Sequence, residues 1–102
     1  AALDARNFEH AATLFTGLAN AGNAEAQAHI GYMTYRGEGV QANKAKAVEW
    51  YRKAAAQGNR DAQYNLAVAY AFGDGVTQND AEALQWYQRA AGSLLNQLTV
   101  FS

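Results

Sequence analysis

The chain of 102 residues has no cysteine, no proline and one methionine. Without cysteine there is no disulfide scaffold, no thiolate metal site and no cysteine nucleophile, and the compartment is left open. Charge is scarce and balanced, with 8 basic against 9 acidic side chains and a formal net charge of −1. That balance leaves no electrostatic footprint for a nucleic acid or an anionic membrane surface. No run of about 18 apolar residues is present, so nothing in the sequence spans a bilayer. The first residue is Ala rather than Met, and no charged stretch followed by an apolar run stands ahead of the rest, which is the expectation for a processed or excised piece.

What the chain does have is alanine, at 24 positions, with glycine confined to a few places. Alanine is the strongest helix former and glycine the commonest helix terminator, so the composition predicts an all-α chain of helices joined by short glycine-containing turns. The length suits one domain with one modest core.

Sliding the sequence by 36 positions lays Gly22–Ala56 over Gly58–Gly92, and 14 of the 35 pairs are identical. They include Asn23/Asn59, Gln27/Gln63, Gly37/Gly73, Gly39/Gly75, Val40/Val76, Asn43/Asn79, Trp50/Trp86 and Tyr51/Tyr87. A period of this length marks a helical repeat array. Each unit reads as two helices. Helix A spans 24–36 and 60–72, opened by Asn23 or Asn59, whose side chains accept from the orphan amides of the first turn. Gly37-Glu38-Gly39-Val40 and Gly73-Asp74-Gly75-Val76 end it, the glycines supplying positive φ. Asn43 and Asn79 then cap helix B, which is expected to end near Gln57 and Ala91. Ala47, Trp50, Tyr51, Ala54 and Ala55 fall on one side of that helix and the charged residues on the other. Small residues beside a large aromatic predict close antiparallel packing.

Residues 1–21 read as half a unit. Ala11, Leu14, Phe15, Leu18, Ala19 and Gly22 lie over Ala47, Trp50, Tyr51, Ala54, Ala55 and Gly58. This predicts a helix B over 7–21, preceded by a short turn at Asp4-Ala5-Arg6-Asn7 and by a remnant of helix A in Ala1–Leu3. The domain plan is therefore a half repeat over 1–21, repeats over 22–57 and 58–92, and a tail over 93–102. The tail breaks the pattern. Either Ser93 caps a helix whose Leu94, Leu95, Leu98 and Phe101 cover the last repeat, or the segment is foreign to the repeats and pairs between molecules.

The string Ala-Gln-x-x-Ile/Leu-Gly/Ala, then Gly-x-Gly-Val, Asn-x-x-x-Ala and Trp-Tyr-x-Lys/Arg-Ala-Ala, found twice at one offset, resembles the Sel-one-like repeats, relatives of the tetratricopeptide repeats. The resemblance covers 22–92 strongly, 4–21 moderately and the tail not at all. Departures are Ala67 where Gly31 has the family's glycine, Thr34 where Tyr70 has its tyrosine, and Asn43 and Asn79 where an aspartate is usual. The resemblance implies a right-handed solenoid of about two and a half repeats, acting as an adaptor or scaffold for protein complexes. Such proteins serve in bacterial envelopes, signalling, host interaction and endoplasmic-reticulum quality control.

Helix A carries more apolar surface than packing on helix B requires. Ala26, Ile30 and Thr34, like Ala62, Leu66 and Tyr70, supply the packing stripe. A second stripe holds Ala28, Tyr32, Tyr35 and Arg36, matched by Tyr64, Val68, Ala71 and Phe72. In tetratricopeptide-like arrays this face lines the concave groove. Tyr32, Tyr35, Arg36, Tyr64, Val68 and Phe72 are thus the candidate partner-binding residues, since Tyr and Arg carry binding energy when a groove closes on a peptide. Neighbouring repeats also bury helix A faces, so the same stripe has a competing reading as inter-repeat core.

Catalytic constellations are sparse. His10 and His29 lack the spacing that puts two ligands on one face, and no metal or other cofactor is expected. Ser93 and Ser102 lack the Lys of Ser-x-x-Lys. Glu38 and Asp74 read as turn acids, because neither loop carries the acids of a calcium site or the Lys-Ser/Thr of a phosphate site. The basic residues of helix B are interleaved with Glu49, Glu82 and Gln85, a solvated face rather than a nucleic-acid stripe. The reading is a non-enzymatic module that binds a protein or peptide. Its rivals are a self-assembling fragment that dimerises or swaps through its open ends, and a cell-wall-related regulatory or hydrolytic domain.

Overall fold

In a computed structural model of the chain, which describes residues 5–99 and the side chains of residues 6–92, five helices follow one another. They are α1 (Ala5–Asn20), α2 (Ala24–Arg36), α3 (Lys44–Ala56), α4 (Arg60–Phe72) and α5 (Asp80–Thr99). Each packs against the next in sequence, which is the stacking of an α-α solenoid. There is no strand among the described residues.

The four asparagines identified as caps act as such. The Oδ1 atoms of Asn23, Asn43, Asn59 and Asn79 accept from the amides of Ala26, Lys46, Ala62 and Glu82 at 2.8, 3.0, 2.8 and 3.1 Å. Gly37 and Gly73 close α2 and α4 in the left-handed conformation, at φ 76° and 66°. The second glycine of each loop has a further reason to be glycine. A Cβ on Gly75 would stand 2.6 Å from the carbonyl oxygen of Lys44, and one on Gly39 would lie closer still to the carbonyl of Phe8. Each loop therefore rests on the backbone of the preceding helix B, a contact that positive φ alone does not reveal.

The core follows the repeat. Ala47, Trp50, Tyr51, Ala54 and Ala55 are buried, as are Ala26, Ile30 and Thr34 of α2 and Ala62, Leu66 and Tyr70 of α4. Gly31 is small because Tyr51 crosses there, within 2.9 Å of where a Cβ would be. Outside this core, Lys53 lies over the Trp50 ring and Arg89 over the Trp86 ring, at 4.8 and 4.5 Å, so the basic face also shields the indoles.

Two buried amides lock neighbouring units. Gln27 Nε2 donates to the Ala19 carbonyl at 3.1 Å and Gln63 Nε2 to the Ala55 carbonyl at 3.2 Å, each joining helix A to the end of the previous helix B. Gln57 Nε2 donates to Gln27 Oε1 at 2.8 Å, whereas Gln63 Oε1 is buried without a partner among the described residues. The position 36 residues beyond Gln57 carries Ser93, not Gln. The amide pairing is thus complete at its first occurrence and, among the described residues, open at its second.

Two boundaries differ from expectation. Arg6 and Asn7 belong to α1, not to a turn, since Asp4-Ala5-Arg6-Asn7 contains neither of the helix breakers Gly and Pro. Helix α5 runs on to Thr99 instead of ending near Ala91, because position 94 is Leu where the repeat has the glycine that releases the chain, Gly58 at φ 94°. Ser93 consequently lies inside a helix and is not an N-cap. Whether Leu94, Leu95, Leu98 and Phe101 cover the last repeat lies outside the described residues, as does the helix A remnant in Ala1–Leu3.

Candidate functional site

Helices α2 and α4 present their second stripes to the same side. Ala28, His29 and Tyr32 of α2, Arg60, Asp61, Tyr64 and Asn65 of α4, and Tyr87, Ala90 and Ala91 of α5 line a groove of about 960 Å³. A smaller hollow of about 140 Å³ adjoins it and shares Tyr32 and Asn65, with walls from Tyr35, Val48, Tyr51, Val68, Ala69 and Asp74. Tyr32 and Tyr64 are 46% and 55% exposed, so this part of the stripe is surface and not inter-repeat core. Tyr64 meets Tyr87 edge-on with ring centroids 5.8 Å apart, which makes a continuous aromatic wall from α4 to α5.

The six candidate residues separate into four kinds. Tyr32, Tyr64 and Val68 line the hollows. Arg36 stands beside them, its guanidinium 5.5 Å from the Tyr32 ring centroid and donating to the Tyr32 hydroxyl at 3.0 Å, so it holds that ring in place. Phe72 is 76% exposed at the end of α4 and lines neither hollow.

Tyr35 has a different task, which the sequence did not signal. Its hydroxyl donates to Asp74 Oδ2, while Lys44 Nζ lies 3.0 Å from Asp74 Oδ1 and 5.3 Å from the Tyr35 ring centroid. Asp74 is more than a turn acid: it clasps α2 and α3 to the loop that follows α4. Glu38, its counterpart, pairs among the described residues with Arg36 of its own unit, at 3.6 Å. The Tyr35 hydrogen bond, and then the Lys44 hydrogen bond, hold the Asp74 carboxyl below its ordinary 3.8. The same bond to Asp74 raises the Tyr35 phenol above its ordinary 10.0. A depressed acid adds stability above its unfolded value and loses it as pH falls through its lower folded value. A raised phenol adds stability below 10.0 and loses it as pH rises through its folded value. Asp74→Asn is therefore expected to lower the melting temperature by a few degrees at neutral pH, about 1 kcal/mol or less for so exposed a clasp. The gap to the wild type should close below pH 3.8, as melting curves across pH would show.

Groove residues outside the six candidates are His29, Asn65 and Tyr87. His29 stacks on Phe15 at 4.8 Å, which seats it on the groove wall away from His10 on the exposed surface of α1. Tyr87 occupies the position of Tyr51, which is buried, but no described helix covers Tyr87 as α4 covers Tyr51. Burial pushes the Tyr51 phenol up, so it stays neutral. Among the described residues no group of three or more His, Asp or Glu is placed to hold a metal ion. None of the described helices is long and apolar enough to cross a membrane.

The family model described as "Sel1 repeat" matches residues 24–59 and 60–92. The chain belongs to the Sel1 repeat family, whose members are generally protein–protein interaction modules and typically non-enzymatic scaffolds. Among solved structures it is similar to a Sel1 repeat protein from Oxalobacter formigenes, at 40% identity and TM-score 0.81, over 87% of this chain and 36% of that one. It is similar also to c5321, a protective antigen of uropathogenic Escherichia coli with an SLR fold, at 38% identity and TM-score 0.79, over 80% of this chain and 18% of that one. The cysteine-rich protein B of Helicobacter pylori, 20% identical with TM-score 0.75, shares the fold over 78% of this chain and 60% of its own. The chain thus spans less than two thirds of each of these proteins. A comparison with curated proteins finds no match.

Proposed function

We propose that this chain is a non-enzymatic binding module that holds a segment of a partner protein in the groove between α2, α4 and α5. The observation that carries this reading is the exposure of Tyr32 and Tyr64 on a concave wall continued by Tyr87. Large aromatics left half in water on a concave surface cost a folded chain solubility and gain it nothing, whereas in a complex they supply rigid contact area at low entropic cost. Arg36 preorients Tyr32, and the Asp74 clasp fixes the spacing of the units that bear the tyrosines.

The test is a pair of substitutions. Peptides selected for binding from a short random-sequence library are expected to lose about 100-fold or more in affinity for Tyr32→Ala with Tyr64→Ala, two hot-spot truncations of about 2 kcal/mol each. Helical circular dichroism and melting should stay close to wild type, since both rings are half exposed. A melting temperature lowered by many degrees would make these rings core, and unchanged affinity would place binding elsewhere.

A second reading, self-assembly through the ends of the array, is favoured by Leu14, Leu18 and Leu84, which are 56%, 53% and 57% exposed. Light scattering decides it: a mass that rises with concentration supports it, and a clean monomer at high concentration removes it.

A further inference from the structure

Thr34 and Tyr70 stand at the same place in the two units, both buried, and differ by a whole aromatic ring. Tyr70 packs in one cluster with Val76 and Trp86, and the Arg52 guanidinium lies over its ring at 5.4 Å. The residues 36 positions before these four are Thr34, Val40, Trp50 and Thr16. All four line a hollow of about 320 Å³ among α1, α2, α3 and the loop between α2 and α3, together with Ile30 and Lys46. A tyrosine and an arginine fill this space in the second unit; two threonines leave it open in the first. The hollow shares no lining residue with the groove or with the smaller hollow beside it.

Interiors are close-packed, and atoms that face an empty space forgo their contacts, so the exchange of a ring for a threonine is a loss to the fold alone. What would make it good can be read from the second unit: a benzene ring bearing a hydroxyl, as the Tyr70 side chain does. Trp50 offers such a ring an aromatic neighbour. The first unit also has a charge that the second lacks. Lys46 stands where the second unit has Glu82, and its ammonium forms no ion pair with any described residue. A cation in place of an acid favours a ligand with a negative group and disfavours one with a positive group. The volume lies at the lower end of small-molecule sites, which run from roughly 300 to 1,000 Å³.

We propose that this hollow is a second binding site, for a free small phenolic acid whose ring takes the place that Tyr70 fills in the next unit and whose carboxylate meets Lys46. The probe is 4-hydroxybenzoate, titrated into isotopically labelled protein. It should move the indole N–H resonance of Trp50 and leave that of Trp86 in place, with a Kd of about 1 mM or tighter, as a ligand of its size allows. Thr34→Tyr carries the second unit's residue into the first; it should abolish the shift and leave the melting temperature equal or raised. Thr34→Leu, a smaller filler that reads the same space should the tyrosine variant fold poorly, is expected to weaken binding about tenfold. Lys46→Glu should cost about fivefold or more. The amine 4-hydroxybenzylamine, the same ring with a cationic head, should bind the wild type more weakly than the acid and gain on Lys46→Glu. A Trp50 resonance unmoved at about 10 mM acid overturns the site, as does undiminished binding in both Thr34 variants. Shifts at Tyr32 and Tyr64 instead would put the ligand in the groove and overturn it too. Equal binding of the acid and the amine overturns the assignment of an acid as the ligand.

Discussion

Gly75→Ala should lower the melting temperature by more than about 10 °C, although it adds a single methyl group at a partly exposed loop position. Two costs combine. Gly75 has φ 81°, a conformation that costs an L-residue about 1–2 kcal/mol. The new Cβ would also stand 2.6 Å from the oxygen and 2.7 Å from the carbon of the Lys44 carbonyl, and a backbone cannot step aside as a side-chain tip does. The loop must lift off α3, taking Asp74 out of reach of Lys44. For a chain of this size each kcal/mol lost is worth about 4–8 °C. Gly58→Ala is the control, since Gly58 shares the positive φ, at 94°, but has nothing within 4 Å of its would-be Cβ. It should lose only the conformational part. Equal losses in the two variants would show that the contact with α3 contributes nothing.

Leu66→Ala and Leu84→Ala form the second pair. Leu66 is wholly buried between units and its truncation should cost about 2–5 kcal/mol, in a range that leaves a small array marginal at room temperature. Leu84 is 57% exposed, and its truncation should change stability by about 0.5 kcal/mol or less. The contrast is informative because Leu84 stands where the repeat has Val48, which is only 2% exposed. Val48 is covered by α4; no described helix covers Leu84. Aliphatic side chains at equivalent positions therefore differ in worth according to whether a neighbour covers them, as expected of an array whose stability is a sum of units and contacts between them. Urea titration of both variants measures the difference, and a large loss at Leu84 would mean that another element packs there.

Comparing the sequence with itself finds what recurs, and what recurs here is the scaffold. The asparagine caps, the helix A limits at Ala24–Arg36 and Arg60–Phe72, and the Ala/Trp/Tyr side of helix B could all be read because both units need them for the same reason. The groove residues on α2 and α4 do not recur: Tyr32 faces Val68 across the offset, Tyr64 faces Ala28, and Asn65 faces His29. A binding surface has no reason to repeat when its ligand does not. Helical spacing indicates the stripe on α2 and α4, but not the contribution of α5, because Tyr87 matches the buried Tyr51 and no described helix covers it. The Tyr35–Asp74–Lys44 clasp was hidden for another reason. It joins residues from three elements, each unremarkable alone, and its equivalents Ala71 and Asp80 cannot form it again. The repeat breaks after Ala91 but the helix does not, since α5 runs on to Thr99.

The groove assignment is tested most directly by mapping where a bound peptide sits. Amide and aromatic chemical shifts recorded while a selected peptide is titrated into isotopically labelled protein should move at Tyr32, Tyr64, Asn65 and Tyr87. Those of Trp50, Trp86 and their covering cations Lys53 and Arg89 should stay still. Shifts confined to the tryptophan face, or to the ends around Leu14 and Leu84, would contradict it.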